Sequence, residues 1–359
     1  MLRFYKKLRK SDRFLTFALM DSLTQIVLGA ACGEIALGKK IGNKAILFGA
    51  IGGTIPDLDV IIGNIFFNNQ IDQTAFHRGF MHSILFALIA SLVIGFIVFE
   101  LYNSGKRKGT TTIKDWIWLF FLSIFTHPIL DSFTPYGTQL FLPFTDYRVA
   151  FNNISVVDLV YTFPFFICMI VTMFFKRNSP RRIKWTKAGI YISSIYMLIT
   201  IGNKLYVDTI FKKSFEEANI PFNRFSAQPT IGNNILWYSV AESDQNYHVG
   251  FYSLLDTGNR MDTIYTIAKN HGLLDIRHPD IKTLRWFSNQ YFRFFKRDSS
   301  DLIEYIDLRY PFLNPKNPNS ALFTFPLIKE GDRYNISSFR NRKIDSTGFQ
   351  NFWERLKGI

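Results

Sequence analysis

The sequence predicts an α-helical integral membrane bundle of about five or six membrane helices, followed by a soluble α+β domain. Three observations carry this. Nearly half of the 359 residues are apolar, and Phe alone numbers 38. The apolar residues gather into blocks before about residue 207 and thin out after it. The Lys and Arg behind the net charge of +14 sit mostly in short loops between those blocks. There they orient a membrane protein, so the bilayer is the expected partner and nucleic acid is not.

The chain divides into a basic N-terminal extension (1–19), a multi-helix membrane domain (20–207) and a soluble domain (208–359). The extension carries Arg3, Lys6, Lys7, Arg9, Lys10 and Arg13, and Met20 is an alternative start. The apolar run after the extension, Phe14 to Met20, is too short for a signal peptide and ends at no small-residue cleavage site. A membrane-spanning helix needs about 20 mostly apolar residues. Blocks of that kind run over 22–37, 45–63, 80–102, 116–131, 154–175 and 188–207. The first is short and holds Gln25 and Glu34, so it is either a crossing packed inside the bundle or a re-entrant piece. Cys32 and Cys168 lie inside apolar blocks without partners at metal spacing and read as small core residues.

Loop charges set the orientation. Loops 38–44, 103–115 and 176–187 are rich in Lys and Arg, whereas 64–79 has only Arg78 and 132–153 only Arg148. Basic loops stay in the cytoplasm. The last helix then runs outward and leaves residues 208–359 outside. In that tail, residues 233–243 and 246–256 read as two strands joined by a polar turn. Residues 261–274 and 284–295 have helical spacing, and 302–310 and 321–328 read as further strands.

Ionisable groups at the ends of apolar helices are costly. Asp57 and Asp59 lie near the outer end of the second block. His77 and His82 lie at the outer start of the third, and His127 and Asp131 at the outer end of the fourth. The charge rule, applied without regard to these six, assigns all of them to one membrane face. His127 and Asp131 are four apart and share a helix face. His77 and His82 bracket a glycine turn. Mixed imidazole and carboxylate ligands suit a divalent ion, zinc or manganese first, and six ligands leave room for two ions. One of the carboxylates, or His77, is the candidate general base. Arg78 and Arg148 are the candidate substrate-binding cations.

The segments MDSLTQIVLGAACGE, IPDLD, HRGFMHS and HPILDSFTPYGTQLFLPF resemble those of the membrane-bound metal-dependent hydrolases of the YdjM-like family, over residues 20 to about 175. The family's first motif often has His where this chain has Gln25, a residue suited to holding a water or substrate. The resemblance implies a bacterial inner-membrane protein with a divalent metal, and a hydrolase acting on an unidentified substrate. A site at the bilayer edge favours a lipid or lipid-linked phosphoester. The other reading is a non-enzymatic membrane protein with a structural metal or an ion path. The tail lies outside the resemblance.

Overall fold

A computed structural model describes residues 12–296, 302–337 and 346–359, with side chains from residue 22 onward. The basic extension and the alternative start at Met20 fall outside the described side chains. Among the described residues, eight α-helices come first: α1 (Asp12–Ile41), α2 (Asn43–Thr54), α3 (Leu58–Phe66), α4 (Gln70–Phe76), α5 (Ile84–Tyr102), α6 (Ile113–Ser132), α7 (Leu159–Met173) and α8 (Pro180–Glu217). Among the described residues, four helical stretches are long and apolar enough to cross a membrane. These are Asn43–Phe66, which joins α2 and α3, together with α5, α6 and α8. Helix α7 is apolar but shorter. Helix α1 packs against α2, α6, α7 and α8, and its polar Gln25 and Glu34 are buried.

The three basic loops meet at one end of the bundle. Lys40 pairs with Asp115 at 2.5 Å, and Arg177 donates to the Lys40 carbonyl at 2.7 Å. Just inside that end, Arg182 grips Glu34 through two bonds of 2.6 and 2.5 Å. Its remaining N–H groups reach Asn43 Oδ1 at 2.7 Å and the Phe175 carbonyl at 2.9 Å. Removing one partner of a buried pair strands the other charge, at a cost of about 3–5 kcal/mol. Glu34→Ala is therefore expected to lose roughly that much stability. The unfolding midpoint in detergent checks it, and the double variant Glu34→Met, Arg182→Met should recover most of the loss.

Helix α8 runs 38 residues, about 57 Å at 1.5 Å per residue, well beyond a hydrocarbon core of about 30 Å. Its last turns, with Val207, Phe211 and Phe215, enter the core of the tail. Among the described residues, the tail holds two four-stranded antiparallel sheets. The first is β1 (Arg224–Pro229), β2 (Leu236–Glu242), β3 (Asn246–Ser253) and β4 (Ile264–Ala268). After helix α9 (Pro279–Phe287) come β5 (Phe292–Lys296), β6 (Ile303–Asp307), β7 (Thr324–Glu330) and β8 (Arg333–Ile336), and then α10 (Ser346–Leu356). Side chains alternate across each strand. Trp237 and Ala241 of β2 therefore face α8, while Tyr238 and Val240 meet Ile306 of the second sheet. Phe294, Tyr305 and Phe325 on the far side of that sheet cover α9.

Two expected tail helices are not helices throughout. Residues 264–268 form β4, where buried Ile267 pairs across from Tyr247. Met261, Ile264 and Ile267 are three apart, which mimics a helix, but Ile264, Tyr265, Thr266 and Ile267 are strand formers that find an open sheet edge. The stretch 284–295 is half helix and half strand. Asn289 and Gln290 take left-handed φ values of 49° and 63° and end α9 ahead of β5.

Candidate metal centre

The end of the bundle away from the basic loops is built by three chain breaks. The first is Ile55–Pro56–Asp57, where α2 stops and α3 starts. It puts Asp57 at the N-cap of α3 and Asp59 in its first turn. The second is His77 to Ser83. Arg78 there has φ 57°, a strained position for a buried non-glycine residue. It is pinned by its backbone N–H to Asp59 Oδ2 (2.9 Å), and its carbonyl accepts from Gln139 N at 3.1 Å. The single 3-10 turn Phe80–His82 then swings His82 inward. The third is the last turn of α6, which presents His127 and Asp131 on one face.

Asp57, His82 and His127 converge, with ligand atoms all within 4.8 Å of one another. His82 Nε2 and His127 Nε2 are 3.1 Å apart, and Asp57 Oδ1 is 3.6 and 3.4 Å from them. A tetrahedral ion with bonds of about 2.1 Å has ligand-to-ligand edges of about 3.4 Å, so the spacing fits. The other ring nitrogens face outward. His127 Nδ1 lies 2.6 Å from the Gly53 carbonyl, and His82 Nδ1 lies 3.1 Å from Asp59 Oδ2. A carbonyl can only accept, and a buried carboxylate favours a donor, so hydrogen is assigned to Nδ1 of both rings, and in their neutral forms the Nε2 lone pairs turn toward each other. Two lone pairs at 3.1 Å repel unless a cation or a proton lies between them. Metal-binding imidazoles commonly hold a carbonyl or carboxylate through the second nitrogen in this way.

The six expected residues thus come together, but in different positions. Asp59 holds the imidazoles of His82 and His77, the latter at 2.9 Å, and does not belong to the converging three. His77 turns Nδ1 toward Asp59 and its ring toward Tyr136. Asp131 Oδ2 approaches His82 Nε2 at 3.4 Å and His127 Nε2 at 3.5 Å, and is paired with Arg78 Nε at 3.0 Å. Among the described residues, one three-residue group converges this closely. Arg148 stands apart from the centre. It donates to the carbonyls of His77 and Gly137 and packs on Tyr136, Trp286 and Phe287.

Two further features support the centre, and the second escaped the sequence reading. Gln25 donates to Asp131 Oδ1 at 2.7 Å and to the His127 carbonyl at 3.2 Å, tying α1 to the centre. Gly29, Gly33, Gly49 and Gly53 let α1 and α2 touch backbone to backbone. The signal was present as two small-xxx-small spacings.

Fold and centre together define a multi-helix membrane protein with a three-residue group of metal-ligand type buried at one end of its bundle. A family model described as YdjM inner membrane protein matches residues 20–207, just over half of the chain, and the chain belongs to that family. It is 31% identical over 146 residues to the uncharacterized protein YfhP of Bacillus subtilis, covering 39% of this chain and 42% of that one. It is 33% identical over 107 residues to the inner membrane protein YbcI of Escherichia coli, covering 30% of this chain and 57% of that one. The chain therefore spans about half the length of these curated relatives. No solved structure matches.

Proposed function

We propose that this chain is a membrane-bound, metal-dependent hydrolase in which Asp57, His82 and His127 hold a divalent cation, zinc or manganese. The carrying observation is the pair of facing imidazole nitrogens at 3.1 Å with Asp57 beside them. Three protein ligands with one position left for water or substrate is the pattern of catalytic zinc sites. A divalent cation supplies Lewis acidity there, polarising the scissile group and making a water acidic near neutral pH. Asp131, next to both imidazoles, is placed to accept a proton, and Gln25 and Arg78 fix its two oxygens. Arg78 is the guanidinium nearest the centre and the candidate partner for an anionic group such as a phosphoester. Asp57, at 22% side-chain exposure against 0–1% for the two imidazoles, marks the open side.

One observation favours a second reading, a structural metal: both imidazoles are fully buried. Purified protein decides between them. Stoichiometric metal with turnover of a phosphoester panel presented in vesicles supports the hydrolase, and metal without turnover across that panel favours the structural ion.

We read α1 and α7 as crossings as well, which makes six with α2–α3, α5, α6 and α8. With the basic loops in the cytoplasm, the tail then lies outside it. An alkaline phosphatase fused after Ile359 is expected to be active and a cytoplasm-dependent fluorescent reporter dark; the reverse would move the site to the inner face. The tail acts in this reading as a cover over the site. Arg309 donates to the carbonyls of Pro135 and Tyr136 at 3.2 and 3.3 Å, and Arg333 pairs with Asp72 at 2.9 Å. Tyr136 also lies against Phe287, so one ring touches both the tail and the His77–Arg78 segment.

A further inference from the structure

The connection between α6 and α7 contains a loop pinned to the site at its base and bare at its tip. Thr138 and Val149 close it with two backbone hydrogen bonds of 3.0 and 2.9 Å. The carbonyl of Leu140 accepts from Ile84 N at 2.9 Å, just past His82, and Phe151 N donates to the Ser132 carbonyl at 2.8 Å, just past Asp131. Both anchors are ends of helices long and apolar enough to cross a membrane, which sets the loop level with the ends where α5 and α6 would leave a bilayer. The tip carries Phe141, Phe144 and Tyr147, which are 48, 85 and 63% exposed. The contacts that dock the tail fall on the base, at Pro135, Tyr136 and Arg148, and leave these three rings uncovered.

We propose that residues 141–147 form an aromatic wedge that inserts into the headgroup layer of the leaflet on the site's side. Three arguments choose lipid as the occupant. The tip is continuous with the lipid-facing side of α5, because the Leu140–Ile84 bond sets it beside the turn that leads to exposed Leu88 and Ile89. Phe and Tyr side chains this exposed are unfavourable in water, whereas aromatic rings collect at the membrane–water boundary. The interleaved Thr145 and Asp146 suit a polar headgroup layer better than a dry protein interface. The wedge would hold the metal-ligand centre at the depth of the lipid headgroups and ester bonds. On the hydrolase reading, from which insertion itself is independent, this narrows the substrate to a lipid-anchored phosphoester arriving in the membrane plane.

The test uses the full chain with Cys32→Ala and Cys168→Ala, reconstituted in nanodiscs of phosphatidylethanolamine and phosphatidylglycerol. A nitroxide is attached through Phe144→Cys, with Leu88→Cys as the lipid-facing reference and Lys329→Cys as the aqueous one. The label at 144 is expected to collide more often with oxygen than with a water-soluble nickel chelate, as at 88 and opposite to 329. Because that variant removes the ring under study, Tyr147→Cys, which keeps Phe144, must give the same ordering. Labels that behave like the one at 329 would overturn the wedge. So would spin–spin broadening between copies, which would mean that a second chain covers the tip. The metal content of the same samples tests the hydrolase reading separately.

Discussion

Replacing His127 with Ala is expected to strip the divalent metal from the purified protein, and His82→Ala to do the same. Each removes one of the three converging ligands. Changes in the groups that merely orient a ligand typically cost 10–100-fold in affinity, so loss of a ligand itself should exceed about 100-fold. The graded series makes the argument specific. Asp59→Asn keeps the shape but weakens the acceptor facing His82 Nδ1, and should fall in the 10–100-fold range. His77→Ala reaches the centre through Asp59 and an edge contact with the His82 ring, neither of them a ligand bond, and should change affinity least. Insertion should survive in all four, because α6 remains apolar from Trp116 to Phe125 and losing an ionisable group lowers the transfer cost. Elemental analysis and metal titration at matched expression give the readout. Equal metal in wild type and the two Ala variants of His82 and His127, or none in wild type, would sink the metal reading.

The sequence made the location of this centre legible, but not the division of labour within it. Costly groups at helix ends, read with loop charge, brought six residues to one face, and they meet there. Which nitrogen or oxygen points inward depends on side-chain partners far away in the chain. The Gly53 carbonyl decides it for His127, and Asp59 for His82. Such partners leave no local pattern, so the sequence does not separate Asp59 and His77, which face each other, from the three residues that converge. The place of Arg148 was hidden for a related reason: its ring partners Trp286 and Phe287 belong to a tail whose docking no periodicity reveals. Within the tail, two largely apolar runs joined by a polar turn were recognisable as β2 and β3, which are buried on both faces. Strand β4 was not, because its pairing with β3 overrides an apolar spacing of three.

Gly49→Val should destabilise the fold and take the metal centre with it. Helices α1 and α2 meet through Gly29 and Gly33 on one and Gly49 and Gly53 on the other. A Cβ on Gly49 would run into the Gly29 carbonyl oxygen and lie 2.7 Å from Gly33 Cα. Both obstacles are backbone, so no flexible side chain can swing away and the helices must part. Overpacking typically costs about 1–3 kcal/mol, and a β-branched residue against rigid backbone belongs at or above the top of that range. The centre suffers because this contact sets the Gly53 carbonyl that holds His127 and the Gln25 amide that holds Asp131. Parting α1 from α2 by even 1 Å would misplace both. The control is Gly202→Ala on α8, where an added Cβ meets nothing within 4 Å. That change should be neutral or stabilise by up to about 1 kcal/mol through helix propensity. Unfolding midpoints in detergent, measured beside metal content, give the comparison. If Gly49→Val unfolds with the wild-type midpoint and keeps its metal, the close helix contact does not support the site.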